Sequence, residues 1–121
     1  MKRALVIVDH GSRQPEAHAH LERIAAAVRD RAPGLEVRVA HMELAEPSIA
    51  DAIAASVAAG AEEVCVHPFF LVPGRHLASD IPALISAAAA DHPEVRIRLL
   101  EPLGDRHELA DLILATLRSE G

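Results

Sequence analysis

Aromatic residues are scarce in this chain, with two Phe and no Tyr or Trp among 121 residues. Proteins that stack nucleic-acid bases present aromatic platforms, and Phe69 and Phe70 alone do not make one. Positive charge is also in short supply: 12 Lys and Arg stand against 18 Asp and Glu, a net charge of −6 with His neutral. That sign opposes nonspecific binding to a phosphate backbone, so no nucleic-acid partner is expected. The single cysteine, Cys65, excludes an intramolecular disulfide. Within the apolar run EEVCVHPF it reads as a small buried hydrophobe, suited to a reducing cytosol. Long hydrophobic runs are missing. The N-terminal MKRALVIVDHG holds an apolar run of about five residues, where a signal-peptide core needs roughly 7–15 and a membrane span about 20. A cytoplasmic protein with no membrane partner is expected.

Familiar catalytic motifs are absent too. There is no GxGxxG after a strand, no GxxxxGK[ST], no CxxC, no HExxH and no GxSxG elbow. What remains is a chain that is 50% hydrophobic, enough for a packed core, and long enough for one domain spanning 1–121.

Two patterns alternate along it. Strand-like runs fall at 3–9, 36–42, 62–68 and 95–100. The first and third are almost continuously apolar, as strands covered on both faces are. The second and fourth alternate Val37/Val39 with Arg38, and Ile97/Leu99 with Arg96 and Arg98, which places them at sheet edges. Between the strands, apolar stripes at helical spacing run through Ala17, Leu21, Ile24 and Val28; Ile49, Ile53 and Val57; Leu77, Ile81, Leu84, Ile85 and Ala88; and Leu109, Leu112, Ile113 and Leu117. Gly104-Asp105 marks the expected start of the last helix. Turns are expected at Pro33-Gly34, Gly60 and His92-Pro93. Strands separated by helices imply right-handed crossovers and a parallel sheet. The predicted fold class is therefore α/β: a four-stranded open parallel sheet in the order 2-1-3-4, with helices on both faces. Ligands in such sheets bind beyond the carboxyl ends of the strands, here near strands 1 and 3.

The chain's eight histidines concentrate interest at that edge. His10 follows strand 1, His67 ends strand 3, and His76 lies in the next loop. Adjacent central strands bring the loops of His10 and His76 together, and two neutral imidazoles converging there suit a divalent metal. Glu43, just after strand 2, offers a carboxylate from the flank. A lone loop histidine is more often a hydrogen-bonding surface group, and the argument rests on the pair. His18 and His20 are two apart on a helix and face nearly opposite ways; at least one is expected in solvent. His41 reads either as support for a ligand or as a half-buried strand residue. Arg13 and Arg75 are either solubilising charges or grips for carboxylates at the cleft mouth. Gly11 and Gly74 are read as sharp turns, Ser12 as a cap of the first helix, and Asp80 as a first-turn acid of the third. A histidine after the first strand also occurs in histidine phosphatases, whose pattern has arginine before His-Gly. Here Asp9 stands in that place, and a carboxylate beside the imidazole would repel a phosphoryl group.

The segments HGSR after strand 1, ELAEPSI leading into helix 2, and PFFLVPGRHLASDIP after strand 3 together resemble the short form of the CbiX/SirB family, the class II tetrapyrrole chelatases acting on sirohydrochlorin. HGSR alone is a weak signal; the three in this order cover nearly the whole chain. The resemblance implies metal-binding histidines at His10 and His76 and insertion of a divalent ion as substrate (Co2+, with Fe2+ or Ni2+ as alternatives) into a metal-free tetrapyrrole, with no organic cofactor. It implies cobalt insertion for cobalamin first, and iron insertion for sirohaem second. Longer members carry two such domains, so a homodimer is expected of a single half. Asp9 departs from the small residue more usual there, which bears on metal preference or on hydrogen bonding around the ligand. A macrocycle with many carboxylates fits cations at Arg13 and Arg75 against an otherwise acidic chain. Phe69, Phe70, Leu71 and Val72 are placed either to cover its faces or to pack the core, with one Phe, assigned as Phe70, in the cleft. A carrier of metal or tetrapyrrole without turnover is the reading from a different class, and a relative that has lost chelation is a third.

Overall fold

The structure, a computed structural model, describes residues 1–72 and 74–120, and for residues 75–78 and 120 the backbone alone. The chain alternates β1 (Arg3–Asp9), α1 (Pro15–Arg31), β2 (Glu36–His41), α2 (Ile49–Ala58), β3 (Glu63–Pro68), α3 (Arg75–Asp91), β4 (Arg96–Leu99), a 3-10 turn (Leu103–Asp105) and α4 (Glu108–Glu120). The four strands form one parallel sheet in the order β2-β1-β3-β4. This is the order expected from the apolar character of β1 and β3, which now flank one another at the centre. No helix among the described residues is long and apolar enough to cross a membrane.

Alternation along the strands divides the core in two. One face of β1 and β3 presents Ala4, Val6, Val8, Val64 and Val66 to α2 and α3, where Ile49, Ile53, Ile81, Ala88 and Phe70 complete a buried cluster. The other face presents Ile7 and Val37 to Leu21 and Ala25 of α1. Complete burial of each Val, Leu or Ile contributes about 1.5–3 kcal/mol, so the α2/α3 side carries most of the stability. Cys65 is buried, as its setting suggested.

At the amino ends of the strands, Glu63 is buried in register between Arg3 of β1 and Arg96 of β4. Its carboxylate lies 2.7 Å from Arg3, 3.6 Å from Arg96 and 3.8 Å from Arg98. Burial by itself would raise its pKa. The Arg3 guanidinium, the Cys65 thiol donating at 3.6 Å and Arg98 overcome that, and hold the carboxyl below its ordinary value.

Several boundaries differ from the sequence reading. Helix α1 begins at Pro15 after an N-cap at Gln14, so Ser12 is not its cap; the Ser12 hydroxyl instead accepts the Gln14 N–H at 3.0 Å, just upstream. Gly74 is the N-cap of α3 with an ordinary φ of −69° and no close neighbours, so it does not use glycine's freedom. Helix α3 starts directly after it. His76 therefore stands in the first helical turn rather than in a loop, and Asp80 lies beyond that turn. Gly104-Asp105 belongs to the 3-10 turn, with α4 beginning at Glu108.

Candidate functional site

The carboxyl ends of β1, β2 and β3 converge at one edge, and the loops that follow them are locked together by two close approaches. Gly11 has φ +97°, a conformation that L side chains rarely adopt, and a Cβ there would sit 1.7 Å from the Glu43 carbonyl oxygen. The loops carrying His10 and Glu43 thus touch through their backbones, and only glycine permits it. The second approach joins the loop after β3 to the 3-10 turn. The Gly104 N–H donates to the Phe70 carbonyl at 2.8 Å, and a Cβ on Gly104 would meet the Leu71 carbonyl oxygen at 1.7 Å.

Within this frame His10 is exposed, with its ring lying on Phe70 at a centroid separation of 4.3 Å and a tilt of 40°. Phe70, expected in the cleft, is 2% exposed. It belongs to the core and reaches the site by supporting His10 from beneath. Phe69 is half-buried on the opposite face, 6.0 Å from the His20 ring. Arg13 and Glu43 are exposed at the mouth. The side chains of Arg75 and His76 lie outside the described residues; their backbone opens α3.

Asp9 and His41, the last residues of their strands, are register partners. The Asp9 carboxylate accepts from His41 Nδ1 at 2.6 Å, and His41 is 4% exposed. His41 is thus fully buried rather than half-buried, with its ring tied to Asp9. The His18 ring lies 5.0 Å from that of His41, and its Nε2 donates to the Ser12 carbonyl, so His18 is tied to the loop while His20 is exposed. This connected set of Asp9, His41, His18 and Ser12 is what the sequence reading missed. Its signal was the placement of Asp9 and His41 at equivalent ends of neighbouring strands.

Among the described residues no three of His, Cys, Asp and Glu gather into a ready-made metal cage. An exposed imidazole with a carboxylate on the touching loop is a donor pair chemically able to ligate an ion while leaving its other positions open. His67, one residue before the end of β3, is partly buried, and desolvation lowers its pKa.

Comparison with known proteins places the chain in a family. The CbiX family model matches residues 4–120. The chain is 43% identical over 109 residues to the chloroplastic sirohydrochlorin ferrochelatase of Arabidopsis thaliana, covering 90% of this chain and 48% of that protein. Among solved structures it is similar to a CbiX protein from Marinobacter aquaeolei VT8, with TM-score 0.84 and 33% identity over 98% of this chain and 96% of that one. It is also similar to the sirohydrochlorin chelatase SirB of Bacillus subtilis subspecies spizizenii in complex with cobalt, with TM-score 0.84 and 28% identity over 98% of this chain and 51% of that one. The chain spans about half the length of the plant relative and of the cobalt-bound protein.

Proposed function

The chain belongs to the CbiX family, and from that premise we propose that it is a sirohydrochlorin chelatase, a lyase-type enzyme that inserts a divalent metal into the metal-free macrocycle. The observation that carries this reading is the exposed His10 imidazole, set on Phe70 at the carboxyl edge of the sheet by a loop that only Gly11 can form. Insertion needs an ion stripped of water, a ring held so that its nitrogens are reachable, and acceptors for two pyrrole protons. His10 and His76 hold the ion and leave exchangeable positions open. Glu43, on the touching loop, accepts protons. Arg13 and Arg75 pair with the substrate's carboxylates and offset the repulsion from an acidic chain. Positioning counts for much here, since each 1.4 kcal/mol taken from the barrier is worth about a factor of ten.

Co2+, on the route to cobalamin, is the leading substrate ion, with Fe2+ for sirohaem second. The 43% identical plant ferrochelatase favours iron, and the cobalt-bound structure favours cobalt. Imidazole ligands accept either ion. A homodimer is the working unit: the chain spans 96% of the Marinobacter protein but about half of the plant relative, which supports two copies of this fold acting together. A reducing cytoplasm suits the single, buried Cys65.

The test is an anaerobic assay offering Co2+, Fe2+ and Ni2+ with sirohydrochlorin, followed by absorbance. Turnover is expected, fastest with Co2+, and lost in His10→Ala and His76→Ala. Full rates in both variants would overturn the assigned site. Stoichiometric metal binding with no acceleration over buffer would make the protein a carrier instead.

A further inference from the structure

Leu44 follows Glu43 in the loop between β2 and α2, and among the described residues it alone has a positive φ, +67°, without being glycine. Left-handed backbone is costly for a bulky L side chain, whereas Gly, Asn and Asp adopt it readily. The loop imposes the conformation. Its base is closed by the His41 N–H, which donates to the Pro47 carbonyl at 2.9 Å, and by the Met42 N–H, which donates to the Asp9 carbonyl at 3.0 Å. Its near arm is pressed against Gly11 at the Glu43 carbonyl. A leucine here gains little from the fold in return: it is 51% exposed and belongs to neither core cluster. Strain without burial marks a side chain that serves something outside the fold.

Its position says what. In the order β2-β1-β3, the loop carrying His10 leaves the sheet between the loop of Leu44 and the loop of Leu71 and Val72. Those two are 68% and 80% exposed, so they cover no core, and the Gly104 contact holds the Leu71 backbone in place. Exposed aliphatic side chains therefore stand on both flanks of an exposed imidazole, with Glu43 beside one of them and Arg13 at the mouth. With Phe70 buried, aliphatic groups are what this edge offers to a ring. The arrangement suits a broad, flat ligand with apolar faces, an anionic rim and a centre that must meet the histidine.

We propose that Leu44 is a substrate-contact residue: its side chain lies against the tetrapyrrole ring, with Leu71 and Val72 on the other flank of His10, and it sets affinity for the macrocycle and not for the ion. This rests on the chelatase reading above and deepens it. Covering the exposed half of a leucine side chain is worth about fivefold to tenfold in affinity. A contact made equally in the ground and transition states changes KM and leaves kcat as it was.

The full-length chain is tested with three variants. Leu44→Gly and Leu44→Asn suit the left-handed backbone and remove the apolar contact; Leu44→Met keeps both the contact and the strain. Fluorescence titration of metal-free sirohydrochlorin, with no metal present, is expected to give a Kd raised about fivefold to tenfold in the first two and close to wild type in Leu44→Met. In the anaerobic insertion assay KM for the macrocycle should rise by the same factor with kcat retained. Calorimetric titration with Co2+ alone should show unchanged affinity. The urea midpoints of Leu44→Gly and Leu44→Asn should equal or exceed that of wild type, whereas loss of an ordinary packed leucine lowers the midpoint. Equal macrocycle affinity in wild type and all variants overturns the contact and leaves the chelatase reading standing. A parallel fall in Co2+ affinity also overturns it, assigning the effect to movement of Glu43, and lowered midpoints in both variants overturn it in favour of packing. A wild type that binds no macrocycle overturns the chelatase reading and the contact with it.

Discussion

Asp9 and His41 end neighbouring strands in register and meet through a 2.6 Å hydrogen bond from imidazole Nδ1 to carboxylate. The contact explains why an acid is tolerated beside His10. Its charge is directed across the sheet at a buried partner, and the β1–α1 loop leaves the sheet from a pinned point. Replacing either residue leaves the other without its partner in a largely buried place, at a cost of roughly 1–3 kcal/mol. Asp9→Asn and His41→Ala should each lower the urea midpoint by that measure, and the double variant should lose less than the sum. Asp9→Gly should likewise lose stability and should not insert metal faster. A rate gain in that variant would mean that the carboxylate acts on the ion and not on His41.

Gly11 and Gly104 make the two loop clamps, and their alanine variants separate site from scaffold. Gly11→Ala forces a side chain into the left-handed region at φ +97° and against the Glu43 carbonyl. The backbone strain alone is of order 1–3 kcal/mol, and relief of the clash must shift the His10 loop. Metal insertion is expected to fall at least tenfold while the variant remains folded at low temperature. Gly104→Ala meets the Leu71 carbonyl in the same way but moves the loop that carries Phe70. Thermal melts together with insertion rates on both variants check this; equal rates in wild type and Gly11→Ala would count against the loop's role.

Much of the architecture was legible because it rests on local pattern. The apolar runs of β1 and β3 put those strands at the centre, the alternating arginines put β2 and β4 at the edges, and the stripes of α1 and α2 named the faces that pack; in α3, Ile81, Ile85 and Ala88 pack as read, Leu84 is exposed, and the side chain of Leu77 lies outside the described residues. What escaped needed a register. Glu63 reads as one of two acids before an apolar run, and nothing local says that Arg3, 60 residues earlier, will stand beside it. Asp9 and His41 are invisible as a pair until β1 and β2 are aligned. The stripe of α4 is exposed at Leu112, Ile113 and Leu117, because a stripe names a side that is apolar and never what lies against it. Of the candidate site, His10, Glu43 and Arg13 fall together at the expected edge, whereas the placing of Phe70 under the imidazole required knowing which way the loop after β3 turns.

The arginine-ringed carboxylate at the opposite end of the sheet sets the acid limit of the fold. Because the folded-state pKa of Glu63 lies below its ordinary value of 4.5, its stabilising effect is present above about that pH. It is lost as pH falls through the folded value. Glu63→Gln keeps the shape and removes the charge from among Arg3, Arg96 and Arg98. The variant should be less stable than wild type at pH 7, with the gap closing as pH drops below 4. A constant gap across that range, in urea midpoints measured at each pH, would assign the effect to shape.

His67 makes the complementary case nearer neutrality. Burial lowers its pKa from the ordinary value of 6.5, so at pH 6 the unfolded chain holds more of this proton than the folded one. Stability therefore rises with pH through this window: it is complete above about 6.5, declines as pH falls towards the folded value, and is flat in this respect below it. His67→Gln cannot titrate, and its urea midpoint should lack that step between pH 7 and 5, while the Glu63 limb at lower pH persists. An unchanged step in His67→Gln would assign it to another titrating group.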